Sequence, residues 1–409
     1  MSKKRFKMSR NILLQDWFIW LAFLIAIQPD LIISNTVGAR IVNYCSILIF
    51  VATILELIGD RKVKVQRIFI LLFFLMFSLV FSSIINSNNV SYAFRRMLTV
   101  ISVCLVTHKN LRENKDQFLK NLYLIFYLCI LINFITMLLY PNGIYYTYYD
   151  YFGTRISYLR HWFIGAGNNL ILVFLPALFF DQLRLEGKRK WIDFLSITLW
   201  LMVLYGVVYT GAATSLIAVV LFIAFVILIE RKNIPTPSLK FYIICGLIMF
   251  FLIVFFDVAN VFSNVLSLLF NADITFTGRT RTWETAIEWI QQRPVFGYGY
   301  EYAANMISKF NDNTATHCHN LYLDLCYRSG IVSLVLFLMT LYSCAKPLKQ
   351  YKNNRLDTLL SFTIFIYLGI LFQMEAYFNM NMFYVLLIFA ANIRFILFNK
   401  KTKENGVQS

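Results

Sequence analysis

The chain has 409 residues, of which 59% are hydrophobic and only 14% charged. Soluble proteins carry about 25% charged residues, so soluble and disordered classes are excluded and lipid is the solvent. The net charge of +17 does not indicate a nucleic-acid partner, because the basic residues gather in the loops of one membrane face.

Apolar runs of spanning length fall at residues 13–33, 41–58, 68–85, 92–108, 118–140, 161–181, 192–209, 214–230, 241–262, 319–345, 356–374 and 377–398. Backbone groups in lipid must be satisfied within their own segment, so runs of this length are helices. The fold class expected is an all-α polytopic integral membrane protein with about twelve transmembrane helices and one long extracytoplasmic loop containing short helices. The first run is too long for a cleavable signal peptide and lacks a small-residue cleavage site, so it is expected to remain as a span.

The charges alternate with the loops. Lys3, Lys4, Arg5, Lys7 and Arg10 precede the first run, segments 59–67, 109–120, 182–191, 231–240 and 346–355 are basic, and Lys400, Lys401 and Lys403 close the tail. All belong to the inner face, which puts the protein in the cytoplasmic (inner) membrane with both termini in the cytoplasm. The cysteines contain no C-x-x-C, and most lie in apolar runs as small core residues. Cys318 and Cys326 are separated by about 12 Å of helical rise, too far for a disulfide.

Two outer segments are substantial. Residues 141–160 form a loop rich in tyrosine that also carries Arg155 and Arg160. The aromatic belt of a membrane interface accounts for such tyrosines, and a stacking platform for sugars is the functional alternative. The second segment, 263–318, divides the chain into helices 1–9 (1–262), a long extracytoplasmic loop (263–318), and helices 10–12 with a cytoplasmic tail (319–409). Within it, residues 281–292 read as an amphipathic helix. Trp283, Ile287 and Ile290 share one face, Glu284, Glu288 and Gln291 fall elsewhere, and Pro294 blocks continuation.

Basic residues outside the cytoplasmic face are few: Arg40, Arg95, Arg96, Arg155, Arg160, Arg279, Arg281, Arg293, Lys309 and Arg328. A guanidinium suits a diphosphate through planar paired donors and permanent charge. Headgroup snorkelling is the ordinary alternative. Arg279 and Arg281 are the strongest candidates, because they stand before a loop helix with the pair His317 and His319 later in the same loop.

The stretch Thr277-Gly278-Arg279, then Trp283, then Pro294-Val295-Phe296-Gly297-Tyr298-Gly299, then His319-Asn320 and Gly330 resembles the O-antigen polymerase and ligase superfamily. The resemblance covers about residues 277–333. Ser333 stands where relatives carry Gly, Thr or Tyr. Segment Thr210–Ser215 lacks the arginine that many relatives have there, which leaves Arg95, Arg96, Arg155 or Arg160 to hold phosphate. The resemblance implies glycosyl transfer outside the cytoplasmic membrane, from a polyprenyl-diphosphate-linked oligosaccharide to a sugar hydroxyl on a lipid-linked repeat unit. It implies no cofactor and no metal, with membrane lipid as solvent and a chain-length regulator and a repeat-unit flippase as protein partners.

The diphosphate leaving group needs positive charge, and the attacking hydroxyl needs a base. Arginine supplies the first, and a histidine near its ordinary pKa of about 6.5 supplies the second. His319, Arg279 and Arg281 are therefore the expected catalytic residues. Arg95, Arg96, Arg155, Arg160, Glu284, His317 and Asn320 are the expected substrate contacts. His317, Cys318 and His319 are all metal-ligand types, but adjacent and alternate positions do not easily give one ion three ligands. A polymerase of capsule, exopolysaccharide or O-antigen is the first reading. A ligase moving finished glycan to another acceptor is the second. A flippase or transporter is the third, and the long outer loop speaks against it.

Overall fold

Each of the twelve apolar runs contains helix in the computed structural model. The structure describes residues 12–59, 66–151, 155–188, 191–231, 237–256, 277–312, 315–350, 354–376 and 380–397. The helices are α1 (Asp16–Ile27), α2 (Thr36–Gly59), α3 (Arg67–Ile85), α4 (Val90–Glu113), α5 (Lys115–Leu139), α6 (Ile171–Arg184) and α7 (Phe194–Thr210). They continue as α8 (Ala213–Arg231), α9 (Leu239–Phe255), α10 (Thr277–Gln292), α11 (Ala303–Phe310), α12 (Leu321–Lys349), α13 (Arg355–Met374) and α14 (Asn381–Ala391). Seven of them, α2 to α5, α8, α12 and α13, are long and apolar enough to cross a membrane, while α1, α7, α9 and α14 are shorter apolar helices.

Burial sorts the helices by position. Along α14 nearly every residue is buried, as along α6, so these two sit at the centre, hydrophobic on all sides. By contrast α2 exposes Val37, Ile41, Tyr44, Leu48, Leu55 and Ile58. That stripe at helical spacing belongs against lipid. Helix starts follow local chemistry: Asn89, Asp193, Asn320 and Asn354 each turn a side-chain oxygen onto the first backbone N–H groups of the helix that follows.

Three sequence expectations change. The tyrosine-rich loop is a β-hairpin, β1 (Tyr145–Tyr151) against β2 (Arg155–His161), with Tyr146 opposite Arg160. Among the described residues the regular structure is therefore helical apart from this ribbon, whose β-branched and aromatic residues favour strand. The run expected at 161–181 begins in β2, and its helix starts only at Ile171. The loop helix expected at 281–292 starts at Thr277 and so includes Arg279. Residues 263–276 of the long loop lie outside the described residues.

The rest of that loop is built into the bundle. Trp283, Tyr298 and Tyr300 are buried. The backbone of Pro294–Tyr300 crosses α12 where that helix breaks at Ser329–Gly330. The Tyr298 N–H donates to the Tyr327 carbonyl (2.9 Å), Gly299 N–H to Arg328 (2.7 Å), and Ile331 N–H to Pro294 (2.8 Å). Both chains must come within backbone contact, which explains two motif glycines. A Cβ on Gly330 would lie 2.1 Å from the Val295 carbonyl carbon, and one on Gly297 would lie 2.4 Å from the Tyr327 oxygen. Both also have positive φ, +65° and +60°, where L side chains are strained. The end of α3 closes the crossing: Ser82 donates to the Arg328 carbonyl at 2.8 Å, Asn86 to Gly297 at 3.1 Å, and Asn88 to Tyr298 at 2.6 Å.

Candidate active site

The long loop re-enters the bundle at residues 315–320, and its closing turn is held from two sides. Beneath it, the buried Arg328 donates through Nε to Asp324 at 2.7 Å and through Nη2 to the Thr316 carbonyl at 3.3 Å. Asp324 in turn accepts from the Cys318 N–H at 3.3 Å. A buried ion pair in this setting is secured by its extra hydrogen bonds to backbone. Above the turn, the Asn320 side-chain oxygen accepts from Tyr322 N–H (3.0 Å) and Leu323 N–H (3.2 Å), while its amide donates to the Gln373 carbonyl (3.1 Å). Between these anchors His319 takes a left-handed backbone, φ +47°. That conformation is uncommon for a residue other than glycine and typical of constrained functional turns.

The result is a cluster of four ionisable side chains from three distant segments. Oε1 of Glu375, just past the end of α13, is in contact with His317 Nε2. His319 Nδ1 lies 3.3 Å from the same oxygen, within ion-pair distance but off the line of a hydrogen bond. Oε2 faces Arg279 Nη2 at 3.9 Å, and the two imidazole rings lie 4.2 Å apart. Burial opposes ionisation of Glu375, yet the two imidazoles beside it hold its carboxyl well below the usual carboxylate range. Burial also pushes His319 below the ordinary histidine value, against the pull of Glu375 and with His317 and Arg279 adding to the downward shift. A neutral imidazole beside an ionised carboxylate is thus the state near neutral pH.

The sequence candidates divide accordingly. His319, His317 and Arg279 come together. Arg281 does not join them: two residues along an α-helix it is turned about 200° from Arg279 and it is exposed. Glu284 is exposed as well. Asn320 is fully buried, with its side-chain amide engaged in helix capping and with Gln373, and so shapes the turn. Arg96 lies 5.7 Å from the Tyr300 ring centre, over the same ring that Arg328 covers at 4.5 Å, and its Nε is buried with no hydrogen-bond partner among the described residues. Arg95 is half-buried one residue earlier on α4. Arg155 and Arg160 stand at the two ends of β2. Next to Arg160, His161 is engaged on both nitrogens, with Asp30 at 3.0 Å and Thr147 at 2.8 Å.

Glu375 was missed. The signal for it was present, since an acidic residue at the end of the eleventh run shares a membrane face with the start of the tenth. Glu375 also supplies, from a distant segment, the third ligand type that the adjacent Cys318 could not easily provide: donor atoms of His317, His319 and Glu375 all lie within 4.8 Å of one another. Arg279 on the second carboxylate oxygen is the charge that opposes a cation there. Cys318 is buried on the Asp324 side of the turn, away from the two histidines.

Fold and cluster together define a polytopic α-helical membrane protein with an Arg–His–carboxylate site where its longest loop closes on the bundle. Residues 197–338 match the family model described as O-antigen ligase, which is consistent with the O-antigen polymerase and ligase superfamily. No curated protein and no solved structure matches. The matched stretch contains Arg279, His317 and His319 and ends before Glu375.

Proposed function

We propose that the protein is a polysaccharide polymerase that joins lipid-linked repeat units on the outer face of the cytoplasmic membrane. The observation that carries this reading is the convergence of Arg279 with His317 and His319 at one buried carboxylate. Glycan transfer from a polyprenyl diphosphate needs a fixed cation for the leaving group and a proton acceptor for the incoming hydroxyl. Those are the two kinds of group gathered here.

In this reading the acceptor hydroxyl gives its proton to His319 as its oxygen bonds to the anomeric carbon. The bond from that carbon to the diphosphate oxygen breaks, and the diphosphate departs with the electron pair. Arg279 stabilises its charge, and no outside energy source is required. One polyprenyl diphosphate is released for each glycosidic bond formed. Arg95, Arg96, Arg155 and Arg160 are the further candidates for holding the donor's phosphates.

Ligase-type transfer to a different acceptor uses the same groups. The spacing from Asn320 to Gly330 does not separate the two readings. Gly330 is accounted for by the backbone crossing at Val295, a demand of the fold rather than of the acceptor.

The test is purified protein given lipid-linked repeat units alone. A ladder of polymer with matching release of polyprenyl diphosphate is expected, and His319→Ala should lower the rate by roughly 10²–10⁴. Transfer that requires a second, chemically different acceptor would establish the ligase instead. A His319→Ala protein as active as the native one would remove the base from the mechanism.

A further inference from the structure

Glu375 lies outside the region that matches the family model, yet it is the residue on which the site converges. Its placement is built in. The helix that ends just before it, α13, contains a π-helical turn at Tyr367–Leu371, a rare form that tends to mark functional positions. Within this turn the Leu368 carbonyl accepts from the Tyr322 hydroxyl (3.0 Å) and from the Gln373 side-chain amide (2.8 Å). Gln373, wholly buried, also donates to the Gly246 carbonyl at 2.9 Å. Its own carbonyl then receives Asn320. Residues 373 and 320 are thus clamped together, which sets the neighbouring Glu375 and His319 in register.

We propose that Glu375 is a positioning residue for the transfer reaction, holding His317 and His319 in one arrangement with the Nδ1 edge of His319 toward its carboxylate. The inference rests on the glycan-transfer reading above. A carboxylate so largely enclosed is unfavourable as an ion unless its charge is compensated. The groups facing it are His317 and His319 from the closing turn and Arg279 from α10. With Nδ1 facing the carboxylate at 3.3 Å, Nε2 is the nitrogen left to take the hydroxyl proton. The imidazolium formed in the transition state then has an anion already in place beside it. This division of labour follows from two ring nitrogens and one fixed acid.

The experiment is a double-mutant cycle on the purified full chain, with polyprenyl-diphosphate-linked repeat units as substrate. Glu375→Gln keeps the shape and removes the charge. It should lower kcat on the order of 10²-fold, the low end of general-base effects, and leave the donor KM nearly unchanged. In a His319→Ala background the same change should cost little further, because its effect acts through that ring. Glu375→Asp, which keeps the charge, should recover part of kcat and guards against a variant that merely fails to fold.

Equal losses from Glu375→Gln in both backgrounds would overturn the proposal, as would a loss expressed in donor KM or no loss at all. A His319→Ala protein of native activity would overturn the histidine mechanism itself, which is a separate and recognisable failure.

Discussion

Gly330→Ala tests the backbone crossing on which the site is mounted. At φ +65° and ψ −168° the residue occupies a region open essentially to glycine, so alanine there costs about 1–3 kcal/mol in backbone strain alone. Its Cβ would also stand 2.1 Å from both the carbon and the oxygen of the Val295 carbonyl and 2.6 Å from Phe296 N. Backbone atoms cannot swing aside as a side-chain tip can. The crossing must open, and the bonds from Tyr298 to Tyr327, Gly299 to Arg328 and Ile331 to Pro294 are the ones it strains. At roughly 0.5–1.5 kcal/mol each, their loss brings the total to about 3–7 kcal/mol. That is a large share of the ~5–15 kcal/mol by which proteins are usually stable.

Thermal unfolding of the detergent-solubilised protein, followed by size-exclusion chromatography, should show the midpoint falling by roughly 5–15 °C. Gly59→Ala is the control. An added Cβ there meets nothing within 4 Å, and the midpoint should stay unchanged. A Gly330→Ala protein that melts with the native one would refute the reasoning, because it would mean that the two backbones do not meet at this position.

Two further outcomes concern the chemistry. Because burial moves His319 below the ordinary histidine value, it stays neutral further into acid. The transfer rate should therefore hold through pH 6.5 and fall only at lower pH, as the ring is protonated; a rate–pH profile with its acid limb centred above about 6.5 contradicts the assignment of His319 as base. Arg279→Lys keeps the charge and removes the planar donor pair, so polymer yield in cells at matched protein level should drop roughly tenfold or more, in line with the ~1.5–3 kcal/mol of a hydrogen bond to a charged group. Native yield from this variant would reduce Arg279 to a headgroup anchor.

Much of this molecule was legible in its sequence. Hydrophobic run length alone placed helix in all twelve runs, because lipid leaves the backbone no alternative. Of the apolar face that the 3.6-residue spacing assigned, Trp283 is buried and Ile287 and Ile290 are half-buried against the core, while Glu284 and Glu288 are exposed. Other features depended on contacts between distant segments, which no local pattern encodes. The hairpin at 145–161 was hidden because tyrosines suit a membrane interface and a strand equally. Arg281 looked as strong as Arg279 until the helix was seen to begin at Thr277 and turn it away. Asn320 read as a substrate contact, and its hydrogen bonds to a helix start and to Gln373 are a matter of tertiary packing. Glu375 stood 56 residues beyond His319 in sequence, marked only by its place at the outer end of a run. Only the fold brings the end of α13 against the closing turn of the long loop. The sequence by itself determined the solvent and the helices and singled out the arginine and histidines as candidates, since these follow from residue type and local periodicity. Which of them share a single carboxylate was decided by the tertiary structure, through the backbone crossing at Gly330 and the clamp between Asn320 and Gln373.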